Sequence, residues 1–256
     1  MARPFLTADW RDVVLVNYRV DPALLRPYVP PGSVLDTPDT APDRHLVSLV
    51  AFTFANTRVH GIQVPGAGRF GEVNVRFYVR RASMRAAVFV REFVPVPVIA
   101  FGARALYRQP YYLARIRHEV ERGPEAIVAT TAFARGDIRG RIRVVADSQS
   151  SIPDPASEEH FLKEHYWGFD RGWSGATFRY RVDHPVWRTH EVRDAEFSLD
   201  PGMLIGGRWA TVDWDAALHS VLLADGSRAV VWGAEPLVNP DLAGTIGAWE
   251  EVAGNG

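Results

Sequence analysis

Hydrophobic and polar residues alternate with a period of two along much of the chain, and the alternating stretches are rich in Val, Phe and Tyr. That is the pattern of strands with two unlike faces. It holds over Val13 to Val20, Leu46 to Ala55, Glu72 to Arg81, Ala87 to Val94, Tyr112 to Val120, Ala126 to Ala134, Ile138 to Ala146, Thr177 to Val182, Arg193 to Leu199 and Arg228 to Trp232. Helical signals are fewer. Asp21-Pro22 sets an N-cap acid before a proline at the first helical position and predicts a helix over Ala23 to Tyr28. Asp154-Pro155 repeats the device ahead of Ala156 to His165, and a further proline opens a third helix from about Pro97 to Tyr107. The pattern predicts a mainly β protein with a few helices.

Turn residues crowd Pro30 to Arg44 and His60 to Gly71, which read as long surface loops, the second a candidate lid. No internal repeat and no convincing linker interrupts the chain, so a single domain over residues 1–238 is expected. The glycine-rich end, residues 239–256, is expected to be a flexible tail.

One strand carries more chemistry than the others. From Glu72 to Arg80, the polar residues Glu72, Asn74, Arg76, Tyr78 and Arg80 share one face, and Val73, Val75, Phe77 and Val79 share the other. In a closed barrel the polar face would line an internal cavity; on a half-buried sheet it would be the wet outer face. The alternation alone leaves both open.

Composition works by exclusion. The chain has 256 residues, a net charge of -1 and no cysteine. Disulfides, thiolate metal sites and cysteine nucleophiles are excluded, and there is no global field for nucleic acid or an anionic membrane. The start has no apolar stretch of signal-peptide length, and the longest apolar run, Phe93 to Ala103, is interrupted by prolines and too short to span a bilayer. A cytoplasmic protein acting on a small molecule, with no nucleic-acid or membrane partner, is expected.

Arg104, Tyr107 and Pro110-Tyr111-Tyr112 resemble the segment that carries the catalytic lysines of acetoacetate decarboxylases. A closer resemblance is to the YqjF-like bacterial branch of the acetoacetate decarboxylase-like superfamily. It rests on Glu72-Val73-Asn74-Val75-Arg76, on Gly102 to Tyr111, on Phe161 to Gly168, on Val182 to Trp187 and on Ser220 to Ser227, in that order. The resemblance implies a closed, cone-shaped antiparallel β-barrel with the active site inside, a glutamate at Glu72 and a cavity-facing Glu72–Arg80 face. The superfamily often assembles into oligomers, so a homo-oligomer is also implied.

The departure from that pattern is specific. Tyr111 and Tyr112 stand where the two lysines would be, and a phenol cannot form an imine. The chain's one lysine, Lys163, follows Glu159 by four residues in an expected helix, the spacing of an exposed ion pair. Schiff-base decarboxylation is therefore not expected.

What remains suits acid–base chemistry without a cofactor. The candidate catalytic residues are Glu72, Tyr111, Tyr107 and Arg104, with neighbouring arginines expected to ease formation of a tyrosine phenolate. Arg76, Asn74, Tyr112, His165 and Trp167 are the candidate substrate-binding residues, Arg76 and Arg104 as carboxylate anchors. His160 and Glu164 have i, i+4 spacing but no third ligand at zinc-like spacing, so no metal is expected. These residues suit a lyase, dehydratase, isomerase or cyclase acting on a carbonyl or carboxylate compound, with secondary metabolism a natural setting. The alternative is a non-catalytic binding or sensing barrel lined by the chain's 8 Trp, 13 Phe and 8 Tyr.

Overall fold

The computed structural model describes residues 3–101, 110–171 and 176–237. The segment 102–109, which holds Arg104 and Tyr107, lies outside the described residues, as does the expected tail over 239–256. Among the described residues, no helix is long and apolar enough to cross a membrane.

Among the described residues, fifteen strands form one extended sheet. In chain order they are β1 (Leu6–Arg19), β2 (Val34–Leu35), β3 (Leu46–Val59), β4 (Ile62–Gln63), β5 (Arg69–Arg81), β6 (Met84–Val94), β7 (Tyr111–Leu113) and β8 (Arg115–Arg122). They continue as β9 (Ala126–Arg135), β10 (Ile138–Ser151), β11 (Trp167–Arg171), β12 (Thr177–Asp183), β13 (Thr189–Phe197), β14 (Leu218–Val231) and β15 (Glu235–Pro236). Neighbours run β12, β11, β6, β5, β3, β1, β14, and β14 meets β12 again through Val231 with Val182 and Val230 with Asp183. From β14 a second wing extends through β13, β10 and β9 to β8.

The expected all-antiparallel pattern fails at two places. β6 pairs with β7 and with β11 in parallel. Both partners return to β6 after long connections, and such crossovers are what allow parallel pairing. The expected strand Tyr112 to Val120 is in fact two, because the chain leaves β6 at Ala114 and turns to pair with β9.

Among the described residues, the α-helices complete at both ends are four, and all are short. α1 (Pro22–Leu25) starts at its Asp21 cap as the sequence predicts and tightens into a 3₁₀ turn over Arg26–Tyr28. α2 (Glu158–Lys163) begins later than expected. Its cap is Ser157, whose hydroxyl accepts from the His160 N–H, while Asp154-Pro155 makes a preceding turn. Residues 97–101 are helical up to the edge of the undescribed segment. α3 (Pro201–Ile205) and α4 (Trp214–Ala217) were not expected, although Asp200-Pro201 is the same cap signal as Asp21-Pro22.

Two apolar clusters flank the central strands. Val73, Val75, Phe77 and Val79 of β5 belong to the larger, with Val14, Val47, Phe133 and Trp209. The smaller gathers Val13, Phe52, Phe54, Phe70 and Trp187 on the other side of β1 and β3. Between that second cluster and the polar face of β5 lies a cavity of about 120 Å³.

Candidate active site

Alternation along β5 sends Glu72, Asn74 and Arg76 to the cavity and Val73 and Val75 to the larger core. Both faces of this part of the strand are covered: Glu72 and Asn74 are each only 2 % exposed. The wet-surface alternative for this face is excluded, except at its exposed end, Arg80. Register supplies the neighbours. Asn74 pairs with Glu92 of β6, and Glu92 pairs in parallel with Tyr111 of β7. Three strands thus bring two carboxyls, an amide and a phenol to one wall.

The Asn74 Nδ2 donates to Glu72 Oε1 at 3.0 Å, and the Tyr111 hydroxyl lies 3.5 Å from Glu72 Oε2, the outer limit of a hydrogen bond. Burial pushes the Glu72 carboxyl up to about 7, against the opposing pull of the Asn74 and Tyr111 bonds and the Arg76 charge. Glu92 is raised well above the usual carboxylate range, first by burial and then by the negative charges of Glu72 and Asp170. Tyr111 moves in the direction opposite to the sequence expectation. Burial and the two nearby carboxylates raise its pKa well above the ordinary phenol, so it is a proton donor, not an incipient phenolate.

Tyr180 of β12 completes this wall, its pKa raised by burial and by Asp170, Glu92 and Glu72. Its ring occupies the space where a side chain at residue 168 would stand, so Gly168 is what admits it.

Arg76 donates from Nη2 to the Leu162 carbonyl at 3.0 Å, and the Tyr78 hydroxyl donates to the same oxygen at 3.0 Å. His165 stacks on Tyr78 at 4.6 Å. Burial first, and then the charges of Arg76 and Arg85, hold its imidazole well below the usual histidine range. It is neutral at physiological pH. Trp167 also lines the cavity, with the Arg179 guanidinium 5.1 Å from its ring centroid.

Tyr112 departs from its expected substrate-binding place. Adjacent residues of a strand point to opposite faces, so with Tyr111 turned to the cavity Tyr112 packs against the larger core. Its ring lies 5.8 Å from that of Phe93, with the guanidinium groups of Arg91 and Arg135 at 5.1 and 5.2 Å.

The largest correction concerns Lys163. Its side chain is 0 % exposed. The i, i+4 argument places it on a wet helix face beside Glu159, but α2 ends at this residue and Phe161, Leu162 and Lys163 all turn inward. The Nζ pairs with Glu164 and donates to the Trp187 carbonyl at 2.7 Å. Glu164 also accepts from the Trp187 N–H at 3.1 Å and from the Tyr166 hydroxyl at 2.9 Å. This buried network fixes the loop that carries His184 and Trp187, whose rings stack at 4.4 Å on the cavity wall.

Sequence reasoning missed Glu92, Tyr180 and an aromatic wall made of Trp10, Phe52, Phe54 and Trp187. Glu92 carried a weak signal, being an acid inside the apolar run from Val88 to Val94. Among the described residues, no group of three or more His, Asp or Glu is placed to hold a metal ion.

A family profile described as an uncharacterized conserved protein, DUF2071, matches residues 7–227. The chain belongs to the DUF2071 family. The YqjF protein of Bacillus subtilis (strain 168) is 32% identical over 111 residues, 43% of this chain and 45% of that protein, so the match spans less than half of the curated relative. Acetoacetate decarboxylase from Legionella pneumophila is similar in fold, with a TM-score of 0.64 at 14% identity over 93% of this chain and 89% of the other. An acetoacetate decarboxylase-like enzyme from Sphingomonas wittichii RW1 gives 0.61 at 13% identity, covering 91% and 92%. The enduracididine biosynthesis enzyme MppR, complexed with pyruvate, gives 0.59 at 16% identity, covering 93% and 92%. The DUF2071 chain therefore has an acetoacetate decarboxylase-like fold and a sequence relative in YqjF.

Proposed function

We propose that this protein is a cofactor-independent enzyme that transfers a proton at carbon beside a carbonyl or carboxylate group of a small molecule. The reading rests on one observation: two buried carboxyls, Glu72 and Glu92, share a cavity wall with the Tyr111 hydroxyl. Glu72, pushed up to about 7, is poised to accept a proton near neutral pH. Glu92 and Tyr111, both raised, keep their protons and can donate toward the oxygen that becomes an enol. Arg76 supplies a positive charge for a substrate carboxylate. Enolisation of this kind is the common first step of lyase, dehydratase, isomerase and cyclase reactions. MppR, a biosynthetic enzyme of similar fold, supports secondary metabolism as the setting. The pairing circuit from β12 round to β14 is read as a closed, cone-shaped barrel around this site.

Imine chemistry is set aside on different grounds from those the sequence offered. Lys163 does reach the cavity wall, but its Nζ is already engaged by the Glu164 carboxylate and the Trp187 carbonyl. Borohydride treatment with a β-keto acid should leave the intact mass unchanged; a stable adduct on Lys163 would overturn this part of the reading.

The direct test follows deuterium uptake at the methyl group of pyruvate by NMR. The wild-type protein should accelerate exchange, and Glu72→Gln should slow the catalysed rate by about 100-fold or more. Exchange equal in the two proteins removes Glu72 from the mechanism.

A further inference from the structure

We infer that the cavity is built for an aryl oxo acid, a single aromatic ring carrying a short, enolisable keto-acid side chain, and not for a ligand as small as acetoacetate or pyruvate. The inference rests on the acid–base reading of the same cavity and names its substrate class. Two independent features carry it.

The first is a set of unpartnered polar atoms. Trp10 Nε1, Asn74 Oδ1, Arg76 Nε, Glu92 Oε2 and both ring nitrogens of His165 are buried and have no hydrogen-bond partner among the described residues. All five residues line this cavity. Buried polar groups are ordinarily satisfied, and a concentration of exceptions around one cavity marks where a ligand's polar groups belong. The chemistry of the set is mixed. Arg76 and Trp10 can only donate, Asn74 Oδ1 can only accept, and a neutral His165 offers one of each. A keto-acid matches it: carboxylate and ketone oxygens accept from Arg76, Trp10 and His165, and the enol hydroxyl donates to Asn74 or Glu92.

The second is the opposite wall. Trp10 lies edge-on to Phe52 and Phe54 at 5.6 and 5.8 Å and to Trp187 at 6.2 Å. Phe52 is paired in register with Glu72, so the aromatic surface starts one strand away from the acid–base groups. A three- or four-carbon acid would fill the polar wall and leave this surface without contact. The cavity volume of about 120 Å³ approaches the roughly 150 Å³ that suffices to bind benzene in an engineered protein core.

The test compares phenylpyruvate, pyruvate and toluene, which carry head and ring, head alone and ring alone. Quenching of tryptophan fluorescence, checked by calorimetry, gives the three affinities. Phenylpyruvate should bind tighter than either of the others by about tenfold or more. Phe52→Leu should reduce that advantage with pyruvate binding unchanged, and His165→Phe should weaken both acids. Thermal melting of each variant checks that it is folded. Equal affinity for phenylpyruvate and pyruvate, or no binding of either, overturns the inference, as does toluene binding as tightly as phenylpyruvate. The two readings fail separately. Accelerated exchange on pyruvate with no gain from the ring sinks the aryl inference alone. Tight phenylpyruvate binding with exchange no faster than in Glu72→Gln sinks the acid–base reading alone.

Discussion

Glu72 and His165 titrate in opposite senses, and each contributes to how the fold responds to pH. Glu72 ionises near 4.5 when unfolded and at about 7 when folded, so the folded state holds the extra proton between those values. Its contribution is present below about pH 4.5 and lost as pH rises through 7. His165 is depressed when folded, so its contribution is present above 6.5 and lost as pH falls below it. Melting temperature followed from pH 5 to 8 should decline less on the alkaline side in Glu72→Gln and less on the acid side in His165→Phe. A Glu72→Gln profile parallel to wild type would contradict the raised carboxyl. Lys163 makes a sharper test. Lys163→Met leaves Glu164 buried without its cation, and breaking such a pair costs about 3–5 kcal/mol. Urea unfolding should register that loss, and Lys163→Met with Glu164→Gln should recover most of it. A single variant as stable as wild type would mean that the lysine is not buried in a pair.

At the scale of single elements, backbone space at two glycines decides whether the cavity wall forms. At Gly168 of β11 a Cβ would overlap the Tyr180 ring. At Gly226, φ is +74° and a Cβ would meet the Trp10 carbonyl on the paired strand. Gly168→Ala should cost about 1–3 kcal/mol through overpacking and weaken ligand binding by displacing Tyr180. Gly233→Ala, where nothing lies within 4 Å, is the matched control and should change neither. Equal behaviour of the two would remove the Tyr180 argument. The same elements explain what the sequence made legible. The alternation of β5 identified Glu72, Asn74 and Arg76, because period two survives whatever the strand packs against. Strand limits were less readable. β1 begins at Leu6, well before Val13, because polar Asp9, Arg11 and Asp12 mask it and Asp12 sits at a bulge with φ of 57°. Glu92 and Tyr180 depend on register between distant strands, which no local pattern encodes. Lys163 misled because the helical pair rule presumes that the helix continues, whereas α2 stops there.

Across the whole molecule, pairing strength is uneven, and the weak side coincides with the cavity. β1 is laddered along most of its length to both β3 and β14, and β3 likewise to β5. By contrast, among the described residues β11 touches β6 through the single pair Gly168 with Ala87, and β12 meets β14 through only two pairs. Opening free energy follows the local density of hydrogen bonds and buried apolar contacts. Amides of β11 and β12 should therefore exchange with deuterium well before those of β1, β3 and β5. Tyr180 and Val182 of β12, Gly168 of β11 and Val231 of β14 all line the cavity, so a ligand that contacts them ties the weak seam to the strong strands. A ligand that binds only the closed form lowers the open population by a factor of one plus the ratio of free ligand to Kd, about one hundred at a hundredfold excess over Kd. Hydrogen exchange with saturating phenylpyruvate should show protection concentrated in peptides covering 167–171 and 177–183, with β9 and β10 unchanged. Protection spread evenly over the sheet, or confined to β8 to β10, would place the ligand elsewhere.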